Sequence, residues 1–186
     1  MKILLLAASL RTDSCNKKLI NLIANLSEQQ KINTEKLDFV NFLAPLYSGD
    51  VEEKSGLPEA AQKFIIQLKT ADGLIISSPE YNFSTPGTLK NLIDWVSRST
   101  PMAWLKCPIM LCSASPALAG GNRGLLQTVT ALQCACNAYI FPPMFSLGNA
   151  YEAFNSDGSL KDNNLEQKLA KNITEFVGFA QALHNN

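Results

Sequence analysis

The sequence predicts an α/β fold: one domain spanning residues 1–186, with a five-stranded parallel sheet covered by helices on both faces. Two observations carry this. Short, nearly continuous apolar runs alternate with longer amphipathic stretches, the pattern of βαβ units around a buried sheet. The segments richest in hydroxyl, aromatic and turn residues also follow the first, third and fourth of those runs, beyond the strand ends where open parallel sheets place their ligands. A hydrophobic content of 46% is enough for a single core of this size.

The first strand is read at residues 2–7, an apolar run shorter than a signal-peptide core and far below the roughly 20 residues of a membrane span. Further strands are expected at 36–40, 73–78, 108–113 and, more weakly marked, 138–141. Helical patterns fall at 16–28, 58–70, 88–97, 123–136 and 164–184. Pro58-Glu59 suits a first helical turn, because proline lacks only a donor that would be unpaired there and the acid answers the positive helix end. Residues 43–57, with Pro45, Gly49, Gly56 and several acids, read as a surface connection.

The 16 basic and 16 acidic residues balance, so no net field draws the chain to nucleic acid or to an anionic membrane. The expected partners are small molecules or copies of itself. The five cysteines (Cys15, Cys107, Cys112, Cys134 and Cys136) lack metal-site or disulfide-scaffold spacing, and a cytoplasmic protein without a metal is expected. Cys134 and Cys136 stand two apart, face different directions on a helix and cannot form a CxxC-type pair. The single histidine, His184, lies at a tail where chains fray, so no Ser/His/Asp or Cys/His set can be assembled, which weighs against a hydrolase.

After the first strand comes Ser9-Leu10-Arg11-Thr12-Asp13-Ser14-Cys15-Asn16, running directly into a helix. A helix start offers unpaired N–H groups and a positive dipole end, and with the hydroxyls of Ser9 and Ser14, the amide of Asn16 and the charge of Arg11 it suits a phosphate dianion. The same residues also suit a plain helix cap, with Arg11 a solvated charge and Cys15 packed inertly. No GxGxxG or Walker ending is present, which argues against a dinucleotide fold of the usual type and against an NTP site. After the third strand, two prolines bracket a polar and aromatic loop, Pro79-Glu80-Tyr81-Asn82-Phe83-Ser84-Thr85-Pro86. Such a loop stiffens the backbone and can meet a flavin with main-chain donors and aromatic faces. An ordinary loop with Tyr81 and Phe83 packed down is the alternative.

Pro79-Glu80-Tyr81-Asn82, Ser84, Pro86-Gly87, Leu89-Lys90-Asn91, Ile93-Asp94-Trp95 and Ser97-Arg98 together closely resemble the PEYNxSxPGxLKNxIDWxSR signature of the NADPH-dependent FMN reductases, a family that includes quinone, azo-dye and chromate reductases. Ser9-Leu10-Arg11, Ser14 and Asn16 match its SLRxxSxN motif, and Ser113-Ala114-Ser115-Pro116 with Gly120-Gly121 give a third match. The resemblance spans essentially the whole chain. It implies a flavodoxin-like three-layer sandwich with strand order 2-1-3-4-5, non-covalent FMN, NADPH or NADH as electron donor, and a homodimer or homotetramer with the flavin near a subunit interface.

Carried over by position, the resemblance places Ser9, Arg11, Ser14, Cys15 and Asn16 about the FMN phosphate. It places Pro79, Glu80, Tyr81, Asn82 and Phe83 along the isoalloxazine, chiefly through main-chain contacts, and Ser115 at the far side. Ala117 stands where the family often has glycine and Val129 where it often has arginine, departures that touch the backbone approach to the flavin and the role of that arginine. Leu89, Leu92, Ile93 and Val96 fall on one helical face and read as core, Trp95 as core or interface, and Lys90, Asp94 and Arg98 as an alternating-sign flank. The expected activity is two-electron transfer from NAD(P)H through FMN to quinones or similar small acceptors in ping-pong order, with no catalytic side chain because the cofactor carries the chemistry. The rival reading is a flavodoxin-type electron carrier or redox-sensing flavin protein without turnover; such carriers are commonly acidic, and this chain is neutral.

Overall fold

The computed structural model describes residues 1–184. Three central strands, β1 (Lys2–Ala7), β3 (Gly73–Ser77) and β4 (Pro108–Ala114), run parallel and are almost wholly buried. Alternation along β1 sends Leu4 and Leu6 to one face and Ile3 and Leu5 to the other, each into its own apolar layer. Helices α1 (Cys15–Gln29) and α6 (Asn163–His184) cover the second face; α3 (Glu59–Lys69), α4 (Gly87–Ser97) and α5 (Asn122–Val129) cover the first. With β2 (Asn33–Leu37) and β5 (Tyr139–Ile140) at the edges, the strand order is β2-β1-β3-β4-β5, the flavodoxin-like arrangement implied by the resemblance.

The edges depart from the sequence reading. β2 lies at Asn33–Leu37, displaced toward the N-terminus from the expected 36–40, because Phe39–Phe42 leaves the sheet as a 3-10 turn. Asp38 Oδ1 accepts the Val40 N–H at 3.3 Å to start that turn, and Phe42 meets Phe64 edge-on at 5.0 Å. Burying Phe39 and Phe42 is worth about 1.5–3 kcal/mol each, against about 0.5–1.5 kcal/mol for a ladder hydrogen bond, so packing wins. The connection 43–57 contains a short helix, α2 (Gly49–Ser55), which the acids and glycines had disguised as loop.

The fifth strand position is split, so among the described residues the sheet has six strands. β5 (Tyr139–Ile140) pairs with the start of β4, and β6 (Phe145–Leu147) pairs with its end. Pro142 and Pro143 lie between them and donate no ladder hydrogen bond. The helix expected over 123–136 is α5 followed by a π-helical turn, Thr130–Cys134. Pro58 sits just outside α3 as its cap, with Glu59 in the first turn. His184 ends α6 with its ring docked on Asp72, 3.1 Å from the backbone oxygen. Asp72 precedes β3, so this contact lies at the opposite end of the sheet from the strand ends that carry the motifs. Among the described residues no helix is long and apolar enough to cross a membrane, and the cysteines are free thiols. Burial pushes Cys107 up to about 12 and Cys112 higher still, which keeps both protonated.

Candidate functional site

The loops after β1, β3 and β4 converge on one cleft of about 220 Å³ at the carboxyl ends of the strands. Ser9, Arg11, Ser14, Cys15, Asn16, Pro79, Glu80, Tyr81 and Ser115 all line it, so the two motifs separated by some sixty residues meet in space. Asn82 and Phe83 do not line it; they form the tip of a hairpin at its rim. Tyr151, from the loop after β6, completes the wall and was not anticipated from the sequence.

The wall contributed by α1 begins at Ser14, whose Oγ accepts the Asn16 N–H at 3.2 Å. The plain capping role therefore holds for Ser14 alongside its place in the cleft. No acid stands in the first turn of α1, and Asp13 points outward, its carboxylate 3.9 Å from Lys18 Nζ. The positive end of α1 thus faces the cleft without an internal counter-charge. Arg11 is exposed at the mouth. A hydrogen bond with Tyr151, ahead of that residue's charge, pushes its guanidinium above the ordinary value, so it stays cationic.

Asn16 is nearly inaccessible and heavily engaged. Its Oδ1 accepts from Ser77 Oγ at 2.8 Å and from the Ala114 N–H at 3.0 Å, while Nδ2 donates to the Ala114 carbonyl at 2.9 Å. One carboxamide therefore ties α1 to β3 and β4 beneath the cleft, which makes Asn16 a positioning residue for the helix start.

The opposite wall is the 79–86 segment. Tyr81 and Ser84 exchange backbone hydrogen bonds of 3.1 and 3.0 Å around Asn82 (φ 50°) and Phe83 (φ 63°), so both central residues of this two-residue hairpin are left-handed. A phenylalanine at positive φ is uncommon and persists only where its surroundings hold it. Here α5 does so: Glu80 Oε2 accepts the Gly124 N–H at 2.8 Å, and Arg123 Nη2 lies 3.4 Å from Glu80 Oε1. The Arg123 guanidinium also stacks on the Phe83 ring, 4.1 Å from its centroid. This close approach favours glycine, because a Cβ at Gly124 would lie 3.0 Å from Glu80 Cβ and 3.1 Å from the Ser84 carbonyl oxygen, tighter than ordinary contact.

The remainder of the long motif does not reach the cleft. Asn91 Nδ2 donates to the carbonyls of Ala44 and Pro45, its Oδ1 accepts the Tyr47 N–H, and Trp95 Nε1 donates to Pro45 at 2.7 Å. Arg98 Nε donates to both Glu52 oxygens, and Tyr47 donates to Oε2 of the same carboxylate. Arg98 first and Tyr47 second hold Glu52 below the usual carboxylate range. Half the signature thus straps the 44–52 connection to α4, while Leu89, Leu92, Ile93 and Val96 fill the core as expected.

A sequence model of the NADPH-dependent FMN reductases matches residues 1–152. The chain belongs to that family. It is 46% identical over 99 residues to a 2-hydroxy-1,4-benzoquinone reductase of Burkholderia sp, a match covering 53% of this chain and 51% of that one, so the chain spans about half the relative's length. An NAD(P)H:quinone oxidoreductase of Solanum tuberosum is 32% identical over 175 residues, covering 91% of this chain and 87% of the relative. Among solved structures, the flavoenzyme NAD(P)H:(acceptor) oxidoreductase FerB from Paracoccus denitrificans superposes with a TM-score of 0.81 over 97% of both chains at 24% identity, a likeness of fold.

The donor set suits the family's cofactor. A helix start lacking an acid, two nearly buried hydroxyls and an arginine can hold a phosphate dianion, and the proline-framed hairpin offers backbone and aromatic faces beside it. Of the two departures from the family pattern, Ala117 is exposed, outside the cleft lining, and absent from the residues with positive φ. Val129 packs against the apolar layer under α5. The family's arginine is missing at that place, and it is Arg123, six residues earlier, that reaches Glu80 and Phe83.

Proposed function

We propose that this chain is an FMN-dependent oxidoreductase that takes two electrons from NAD(P)H and delivers them to quinones or similar small acceptors. The observation that carries the reading is the convergence of the Ser9–Asn16 and Pro79–Tyr81 segments on one cleft. Ser9, Ser14, Arg11 and the first amides of α1 hold the cofactor's phosphate, and Asn16 fixes the helix start from below. Main-chain groups of Pro79, Glu80 and Tyr81 line one side of the ring system, the hairpin tip at Asn82 and Phe83 borders it, and Ser115 and Pro116 close the other. FMN, when bound, supplies the hydride chemistry, so no side chain is assigned as acid or base. The protein's contribution is placement and charge: donors held rigidly by Glu80 and Asn16 need no reorganisation as charge develops nearby.

Tyr81 and Phe83 remain about half exposed or more, at 48% and 62%, which leaves the rim open for flat aromatic molecules to enter and leave in turn. Donor and acceptor then use one open face successively, the ping-pong order. The chain acts as a homodimer or homotetramer in the cytoplasm, and light scattering tests the assembly. The decisive measurement is spectroscopic: purified protein reconstituted with FMN is yellow and bleaches anaerobically on addition of NADPH or NADH. Protein that refuses FMN overturns the reading. Bleaching without steady-state quinone reduction would make the chain a carrier instead.

A further inference from the structure

A second polar cavity adjoins the cleft. It is a groove of about 500 Å³ between α1 and the turn 151–158, and Tyr151 lines both this groove and the cleft. Its volume falls in the range of small-molecule sites, about 300–1,000 Å³. Resting on the reading that NAD(P)H is the donor, we infer that this groove takes the adenosine half of the dinucleotide.

Three features of the groove fit an adenosine. Lys18, Asn21 and Asn25 stand at positions i, i+3 and i+7 of α1, on one edge of the helix. At 1.5 Å per residue this edge carries the groove about 10 Å along the helix from Lys18 to Asn25, away from the end where the FMN phosphate sits. Carboxamides pair well with the polar edge of adenine. Asn21 Oδ1 accepts from Lys36 Nζ at 3.1 Å, which orients that side chain and leaves its amide donors.

Aromatic surface is present as well. Tyr151 is 64% exposed at the junction of cleft and groove, and Phe154 packs with one side against the α1 layer and lines the groove. A base laid on such faces gains affinity by stacking. The far wall is fixed: Asp157 Oδ1 accepts from Ser159 N–H and Oγ, and Asn155 Nδ2 donates to Ser159 Oγ at 2.9 Å, so the turn is preformed. Lys18 is bound only loosely to Asp13, at 3.9 Å with both side chains largely exposed, and is available to a 2′-phosphate. The cavity of about 420 Å³ beside Lys106, Tyr139 and His184 lies at the opposite end of the sheet and cannot serve a dinucleotide anchored at the cleft.

Calorimetry on the FMN-loaded protein with 5′-AMP and 2′,5′-ADP tests the site directly. Both bind, and the exposed double substitution Asn21→Ala with Asn25→Ala weakens both about tenfold or more, the loss of two hydrogen bonds. Lys18→Ala weakens 2′,5′-ADP about tenfold and leaves 5′-AMP within about twofold. In turnover, the double variant lowers kcat/KM for NADPH by the same factor. It leaves kcat/KM for reduced nicotinamide mononucleotide, which lacks the adenosine half, within about twofold. Absence of nucleotide binding, binding indifferent to these substitutions, or equal losses with both donors overturns the assignment. Oxidation of reduced nicotinamide mononucleotide by a protein that binds no adenosine nucleotide sinks the groove and spares the proposed function. Adenosine nucleotides bound in the groove of a protein that oxidises neither donor do the reverse.

Discussion

Two helices begin at the same rim of the sheet, and they treat their positive ends differently. α5 starts at Gly121 with no side-chain cap of its own, and a carboxylate from another segment, Glu80, accepts the Gly124 N–H. α1 starts at Ser14 with a neutral cap and no acid in its first turn, while Arg11 adds a second positive charge at the cleft. The helix whose dipole is answered from within the protein supports a wall; the helix whose dipole is left open faces the cleft. Charge satisfaction thus separates a helix start closed by the protein from one left open at the cleft, a distinction that neither helix shows by composition alone.

The strongest way to break that contrast is to give α1 what α5 already has. Ser14→Asp keeps a good N-cap, so the Tm of FMN-free protein stays within about 2 °C. The added carboxylate would stand beside the phosphate, where a like charge at about 4 Å and an effective dielectric near 20 costs about 4 kcal/mol before screening by Arg11. FMN fluorescence titration should therefore show a Kd raised at least about 100-fold. Next in size is Asn16→Ala, which leaves Ser77 Oγ and both polar backbone groups of Ala114 without their partner beneath the cleft. The expected loss is about 2–3 kcal/mol, read as a Tm lower by about 8 °C, with weaker FMN binding as a consequence. A Tm unchanged by Asn16→Ala would show that the clamp does not hold the helix start.

How far the sequence displayed this contrast depends on where each element sits in the sheet. β1, β3 and β4 are buried on both faces, and such strands must be continuous apolar runs, so their bounds were readable almost to the residue. β2 is an edge strand of sequence NTEKL with no apolar run to announce it, and the apolar pair Phe39 and Val40 drew the reading three residues downstream. The split of the fifth strand around Pro142 and Pro143 hid β6, and with it the fact that Tyr151 follows a strand end at the cleft. Apart from Tyr151, the residues expected from the Ser9–Asn16 and Pro79–Tyr81 segments and Ser115 do line the cleft, because a hydroxyl-rich helix start and a proline-framed aromatic loop are recognisable residue patterns. Glu80 and Asn16 read as ligand contacts, and their bonding within the protein appears only in three dimensions. Nothing in the pair Asn82-Phe83 announces a left-handed phenylalanine, because Arg123 and α5, some forty residues away, hold it there.

Glu80→Gln sharpens the comparison from the other side. Glutamine keeps an acceptor for the Gly124 N–H and removes the charge, so the start of α5 loses only the electrostatic part of its cap and the ion pair with Arg123. About 1 kcal/mol is expected, or roughly 2–4 °C in Tm, with FMN affinity falling a few fold as the hairpin loosens. An FMN Kd raised as much as by Ser14→Asp would mean that Glu80 contacts the cofactor itself.

The smallest effect belongs to Arg123, and it tests what keeps Phe83 left-handed. The guanidinium is about half exposed and 3.4 Å from Glu80, so the ion pair contributes at most about 1 kcal/mol, and stacking on an exposed ring adds about 0.5–1 kcal/mol. Arg123→Ala and Phe83→Leu should each lower stability by under about 1.5 kcal/mol in denaturant titrations. If the stack supports the strained backbone, the two losses are not additive, and a double-mutant cycle yields a coupling of about 0.5–1 kcal/mol. Additive losses would assign the hairpin's conformation to the Glu80–Gly124 contact and the Tyr81–Ser84 bonds alone. In that outcome Arg123→Ala leaves the FMN Kd untouched while Glu80→Gln still shifts it, which separates a rim residue from the support of the wall.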